Sequence, residues 1–501
     1  MAASTTAQRS TTAATDEHAC SIFEYVSPAI SGIGGTLKNT PSDFVVSELR
    51  EDGSEVRLKR RPPTADAPED DAEYVRFVLR KERVDTFGAI AELSALLGVP
   101  SRRFAFAGLK DYHAVTTQEI DVRGVAPAQL RRLEVHDRIS IGQVRRVARK
   151  LKLGQCAGNR FRVALRGAAG GAAAVDAALA AVATNGFVNY FGLQRFGASS
   201  RNEEVGRACL QADYEAGVEA ILRPQPGRKM SGGELEARAA WAVGRDAVRA
   251  LRLMPRACTI ERDVLQRLAS PQSLDGRDHA ARCRDAILGL PLGQRRLLAH
   301  AYFSRLWNLV ASERLRRHGT APAREGELVL RASSARRARR WPTPRKARLR
   351  GAPGRTRKRE VHMVTAEEAA AGTYCASRLV LPLPGAAVVL PEDDLGAFYR
   401  TALAHEGIEM DDGVWLEVSA SRDAEDDDNW LAIQGDYRPL LLRPQRMRWS
   451  VEPADDADAA GASDVALRFD LPPGAYATMC LREAIKATPP APRGGHVRFE
   501  D

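Results

Sequence analysis

Residues 107–118, AGLKDYHAVTTQ, pass from strand to turn to strand within twelve positions. Phe104–Ala107 closes a short apolar strand, GLKDYH (108–113) is rich in turn formers, and Thr116–Val122 resumes β-branched character. Asp111 therefore sits just past a strand end, with Lys110 beside it. A carboxylate next to a cation at such a place suits an ionised nucleophile or base. On its own the pair reads more simply as turn chemistry, since Asp is common in turns.

Working outward, DFVVSEL (43–49) and EYVRFVLR (73–80) have strand composition, and the charged, proline-bearing residues 50–72 between them read as a loop. A helix follows. Asp85 or Thr86 can cap it, Phe87, Ile90, Leu93 and Leu97 recur at spacings of three and four, and Gly98 and Pro100 stop it. Residues 137–166 read as two more strands. In GNRFRVALRG (158–167), Phe161, Val163 and Leu165 alternate with Arg160, Arg162 and Arg166. Ala-rich 171–184 is helical and ends at Asn185-Gly186. The first two hundred or so residues are thus α+β.

The character then shifts. Residues 200–320 are helical in pattern, with Leu298, Tyr302, Leu306 and Val310 forming an apolar stripe best read as core. Strand-like sequence returns at 361–365, 378–383 and 465–471, and 477–486 reads as a final helix. Acidic runs at 424–429 and 452–458 mark solvated loops. The order α+β, helical, then β again points to one domain inserted into another.

The formal net charge of +10 is concentrated rather than spread. Residues 331–360 hold thirteen Lys/Arg against Glu360 alone, so the remaining chain sums to −2. That excludes a uniformly basic packaging protein. Few apolar residues among the Arg, Pro and Gly of this run predict disorder. The best candidate for a membrane span, 177–194, carries Thr184, Asn185, Gly186, Asn189 and Gln194 and is too polar. The N-terminus lacks an apolar h-region, so no secretory signal is expected. The seven cysteines are widely spaced with no CxxC, and the nine histidines include no HExxH. Neither a disulfide framework nor a metal site is expected, and a reducing, intracellular compartment is favoured.

A second unusual stretch is NYFGLQRFG (189–197), with three aromatics, two amides, two glycines and one Arg in nine residues. Phe191 or its neighbours can stack on a base, Asn189 and Gln194 can bond its polar edge, and Arg195 can take a phosphate. A buried aromatic corner would explain the same residues. The two stretches together, in this order, resemble the TruD-type pseudouridine synthases. So do PSDFVVSEL (41–49), GNRFRVALRG, RLWN (305–308), EGELV (325–329), VHMVTAEE (361–368), LPLPG (381–385), QGDYRPL (434–440) and LPPGAYATMCLREAIK (471–486). The resemblance is collinear from about residue 34 to 486.

The resemblance implies an enzyme that isomerises uridine in RNA, most of all tRNA, with no cofactor and no metal. It places the catalytic aspartate at Asp111, the base-stacking phenylalanine at Phe191 and the neighbouring amide at Asn189. Lys110 matches the family's Lys-Asp pair and is expected to keep Asp111 ionised. Tyr112 and His113 stand where the family usually carries basic residues, and the Arg-rich run has no counterpart. The implied fold is a catalytic core of mixed, largely antiparallel sheet with helices, interrupted by an inserted α/β domain. The expected boundaries are a disordered tail at 1–30, core at 31–209, insert at 210–375, core at 376–490 and a tail at 491–501, with RNA in the cleft between core and insert. A monomer in nucleus or cytoplasm is expected, the Arg-rich run serving as an address, an RNA clamp or a solvated loop. The competing reading is a non-catalytic RNA-binding or RNA-folding factor on the same scaffold.

Overall fold

The computed structural model describes residues 16–59, 73–197, 201–225, 230–270, 278–331, 361–385, 388–408, 435–453 and 462–486. In chain order the strands are β1 (Thr36–Leu37), β2 (Phe44–Leu49), β3 (Tyr74–Glu82), β4 (Phe104–Phe106), β5 (Val115–Arg123), β6 (Ile139–Val147), β7 (Gly158–Ala168) and β8 (Phe187–Val188). They continue as β9 (Leu328–Leu330), β10 (Val361–Met363), β11 (Val380–Leu383), β12 (Asp436–Pro439), β13 (Leu441–Leu442), β14 (Gln445–Pro453) and β15 (Ser463–Leu471). A nine-stranded sheet has the order β14-β15-β7-β2-β5-β3-β6, with β1 on β7 and β4 on β5. Only the β2–β5 pair is parallel, Val45 lying opposite Val115; the rest are antiparallel. This is the mixed, largely antiparallel α+β sheet expected.

Alternation in β7 orients the sheet. Phe161, Val163 and Leu165 are buried on one face, where Phe161 meets Phe44 and Phe469. Helices Gly171–Asn185 and Ala477–Ile485 pack on that side, and their apolar stripes join the same core. A second cluster closes the other half of the sheet, where Ala89, Ile90 and Leu93 of helix Thr86–Leu97 meet Phe77, Leu79 and Ile120. Asp85 caps that helix through Gly88 N–H, and Gly98 ends it at φ 65°, as the sequence predicts. Phe87 departs from the expected apolar face: it is exposed and meets only the edge of Phe106. Two positions after the Asp85 cap, its side chain lies outside the stripe that reaches the sheet.

Between the two stretches of sheet come helices Arg201–Leu210, Tyr214–Leu222, Gly232–Gly244, Ala247–Leu253, Thr259–Leu268, His279–Leu288 and Leu292–His318. Leu298, Tyr302, Leu306 and Val310 are all buried, so the expected stripe is core. Gly206 lets helix Arg201–Leu210 approach the last of these closely, since a Cβ there would lie 2.2 Å from the Leu298 carbonyl oxygen. Strands β9 and β10 then pair antiparallel, with Leu330 opposite Val361. The Arg-rich residues 332–360 depart and return at that register but lie outside the described residues, as do 424–429, most of 452–458 and the tail at 491–501.

The tail expected over 1–30 is not a tail in its second half. Cys20, Ile22 and Tyr25 are buried, and the amides of Val26 and Ser27 donate to Glu483 at 3.0 and 2.8 Å. The Ser/Thr/Ala-rich composition stops near residue 15, and beyond it Cys20, Ile22 and Tyr25 are apolar anchors, Tyr25 lying with its ring centre 3.9 Å from the Arg482 guanidinium of the last helix. All seven cysteines are free thiols. Among the described residues no helix is long and apolar enough to cross a membrane.

Candidate active site

Asp111 lies in the connection between β4 and β5, four residues before Val115 sets the parallel pairing with β2. Lys38, which follows β1, sends its ammonium to Asp111 Oδ2 at 2.8 Å and lies 4.2 Å from the centre of the Phe44 ring. The Asp111 side chain is 39% exposed, so the carboxylate is held by one cation yet open to a ligand. Beneath it, the fully buried Lys81 donates to three carbonyl oxygens, those of Val84 (2.7 Å), Asp111 (3.1 Å) and Lys110 (3.3 Å). These bonds tie the aspartate's own backbone to β3. Burial pushes the Lys81 ammonium down to about 8, against the pull of Asp85 and Asp111.

Lys110 does not play the part expected of it. Its ammonium pairs with Glu48 Oε2 at 2.9 Å, both side chains being buried, while Glu48 Oε1 accepts from Glu119 N–H. Adjacent residues in this turn point opposite ways, so Lys110 goes into the core and Asp111 outward. The cation on the aspartate is Lys38, 73 residues away in sequence. Tyr112 and His113 are exposed beside Asp111, with their rings edge to face at 4.8 Å.

The second group gathers around Phe191. β8 pairs with β13, and Asn189 N–H donates to the Leu440 carbonyl, which fixes the chain as it leaves the strand. Phe191 is buried, its N–H donating to Asn308 Oδ1 (2.8 Å) and its carbonyl accepting from Asn308 Nδ2 (3.0 Å). Its ring meets Trp307 edge to face at 5.8 Å and Tyr476 at 6.3 Å. The Arg438 guanidinium stacks 4.0 Å from the centre of the Phe191 ring. It also donates to the Asn189 carbonyl oxygen (2.7 Å), Asn189 Oδ1 (2.8 Å) and the Gly474 carbonyl (3.0 Å). Asn189 Nδ2 in turn donates to the Pro439 carbonyl. Burial pushes Arg438 down to about 10, still far above neutrality, so it stays a cation among aromatic faces and carbonyl oxygens.

The remaining expected residues are less tightly held. Gln194 is exposed, with Gly192 closely flanked by its Oε1 and by the Tyr476 ring. Arg195 is half-buried, its Nε donates to Ser304 Oγ at 3.3 Å, and burial pushes its pKa down. Asn189, Phe191, Gln194 and Arg195 thus surround one aromatic corner, whereas Asp111 and Lys110 belong to a separate set of contacts. Sequence reasoning missed Lys38, Lys81, Arg438 and Asn308. RLWN and QGDYRPL carry the resemblance, yet nothing in their local sequence marks Asn308 or Arg438 as the residues that hold Phe191 and Asn189.

Compared with known families, the chain matches the model for tRNA pseudouridine synthase D (TruD) over residues 21–484. It is 31% identical over 485 residues to Pseudouridylate synthase PUS7L of Danio rerio, covering 94% of this chain and 70% of that protein. It is 31% identical over 470 residues to tRNA pseudouridine synthase D of Geobacter metallireducens, covering 93% and 98%. Against mouse PUS7L the identity is 30% over 89% of this chain, which spans only 61% of that relative. The fold matches a TruD crystal structure from Methanosarcina mazei with a TM-score of 0.62 at 23% identity, covering 94% and 97% of the two chains.

Proposed function

The chain belongs to the TruD family of pseudouridine synthases, and from that premise we propose that it isomerises uridines of folded RNA, tRNA among them, with Asp111 acting on the ribose. The observation that carries the assignment is the Lys38–Asp111 pair, a carboxylate fixed by a cation yet open at its surface. The atoms of the reaction balance within one nucleotide. The C1′–N1 bond breaks, the uracil turns, a C1′–C5 bond forms, the C5 proton leaves to solvent and N1 gains one. Asp111 as a carboxylate starts this either by attacking C1′ or by removing the C2′ proton, and for both routes the Lys38 ammonium at 2.8 Å holds the carboxylate in place.

The base must first leave its stack, at a cost of roughly a few kcal/mol. Phe191 supplies a ring for it, and Arg438 behind that ring stiffens the platform while fixing the Asn189 amide. Asn189 keeps one N–H and one oxygen lone pair beyond the bonds it already makes, enough to read a carbonyl edge of uracil. The relative named tRNA pseudouridine synthase D and the one named multisubstrate pseudouridine synthase 7 in Schizosaccharomyces pombe support tRNA together with other RNAs as substrates. Pseudouridine mapping of total RNA from cells lacking the protein tests the substrate range: sites that vanish identify it. A map that includes no tRNA position would remove tRNA from the proposal.

A further inference from the structure

The face of the sheet on which no helix packs among the described residues carries a feature that uridine chemistry does not use. On adjacent strands Arg448 lies directly opposite Arg468, and Arg468 directly opposite Arg162. Residues paired in this way project to the same face, so three guanidinium side chains stand in one row across β14, β15 and β7. Two strand spacings make that row roughly 10 Å wide. Like charges directly opposite destabilise a sheet, and nothing in the folding of this region calls for them. Val163 and Leu467, one position away, show that apolar pairs are what the other face uses.

The ion pairs among the described residues leave the row positive. Arg162 reaches Glu55, which also takes Arg57 and Arg160, and these guanidiniums hold the Glu55 carboxyl down at about 2 despite burial. Asp470 takes Arg160 and Arg446. Four arginines, Arg57, Arg160, Arg162 and Arg446, thus share two carboxylates, in a protein whose remainder outside 331–360 is slightly acidic. Arg448 and Arg468 are exposed, and among the described residues neither forms an ion pair. Burial and the neighbouring Arg160 and Arg162 depress the Arg468 guanidinium. The next row on the same face is Ser450, Ala466 and Ala164, small side chains that leave the floor low for close approach. This face is not that of Asp111: Lys38, its partner, lies over Phe44, which packs with Phe161 on the helix-covered side.

We infer that the face of β14, β15 and β7 that bears this row is a phosphate-contact surface for the RNA backbone, with Arg448, Arg468 and Arg162 gripping substrate away from the reacting nucleotide. It rests on RNA being the substrate, as proposed above. Charge complementarity selects a polyanion, and the flat width of the row suits a backbone track rather than a single anion.

The test uses the full chain, the double variant Arg448→Ala/Arg468→Ala and the charge-keeping Arg448→Lys/Arg468→Lys, with unfractionated tRNA as probe. Each lost phosphate contact should lower the slope of log affinity against log salt by about 0.7–0.9. The alanine pair should therefore bind about tenfold or more weakly at low salt, with a slope shallower by roughly 1.4–1.8. The lysine pair should keep most of the slope. Melting temperature should hold or rise in the alanine pair, because repulsion is removed, and the single-turnover rate at saturating tRNA should not change. An unchanged slope overturns the inference. If melting temperature also falls, the row is instead covered by an acidic segment of the chain itself. A wild type that fails to bind tRNA overturns it too. A wild type that binds with a steep salt slope but modifies no uridine leaves this surface standing and removes the catalytic proposal.

Discussion

Lys38 joins Asp111 across 73 residues of sequence, and Arg438 joins Asn189 across 249. Neither pairing has a local signal, because only the tertiary fold brings Lys38, after β1, to the β4–β5 connection, and the β13–β8 pairing brings Arg438 to Asn189. The aspartate and the NYFGLQRFG corner were legible because turn position and crowding of aromatics are written locally. Lys110 was misjudged for the same reason: adjacency in sequence does not say which way a side chain points. If Lys38 fixes the charge and direction of the carboxylate, Lys38→Met should lower the single-turnover rate by about 10–100-fold with little change in RNA affinity, while Lys38→Arg retains most activity. Rates measured under saturating enzyme would decide, and a wild-type rate for Lys38→Met would remove Lys38 from the site. Lys81 yields a pH signature. Its folded pKa of about 8 is below the unfolded value of 10.5. Between those values the unfolded chain binds more protons, so stability contributed by this group rises with pH through that window and is lowest below pH 8. Relative to Lys81→Met, the wild type should gain on the order of 3 kcal/mol between pH 8 and 10.5, at about 1.4 kcal/mol per unit. Parallel denaturation curves for the two proteins over that range would speak against the buried ammonium.

Elements with strong periodicity were readable in place: helices Thr86–Leu97 and Gly171–Asn185, and strands β2, β3, β5, β7 and β15 match their sequence patterns. β14 was not, since QRMRWSVEP alternates charge with mixed residues and buries only one side partially. The packed segment at 16–30 is apolar at Cys20, Ile22, Tyr25 and Ile30 but follows directly on the Ser/Thr/Ala-rich residues 1–15, so composition alone does not mark where the tail ends. Helix Leu292–His318 links fold to site, since Trp307 and Asn308 on it hold Phe191 in place. Asn308 is fully buried and also donates to the Cys20 carbonyl. Asn308→Ala leaves those groups unpaired, which should cost about 2–3 kcal/mol and loosen the Phe191 platform. Urea denaturation together with tritium-release rates would test it, the expected outcome being loss in both. Gly206→Ala would drive a Cβ into the Leu298 backbone at 2.2 Å. The two helices must then separate, and a loss of several kcal/mol is expected; a thermal midpoint equal to wild type would contradict that close packing.

At the scale of the molecule, charge and chemistry are separated. The run 331–360 supplies the net positive charge, but β9 and β10 pair at its two ends with Leu330 opposite Val361. Replacing 331–360 with Asn-Gly gives the two-residue turn that such a register accepts. That variant should melt within a few degrees of wild type and isomerise saturating RNA at the same single-turnover rate. A collapse of the rate would give the run a catalytic role that nothing in the fold supports. The order of strands, then helices, then strands again was legible in the sequence, and the pairing of β15 with β7 joins the two ends of the chain in one sheet, in line with the core that the resemblance implies. The most direct measurement is tritium release from tRNA labelled at uracil C5, comparing wild type with Asp111→Asn. The substitution keeps size and removes charge, so release should occur with wild type and fall by at least about a thousandfold in the variant, while RNA binding persists. Equal release from the two proteins would contradict the assignment of Asp111 as the residue that acts on the ribose.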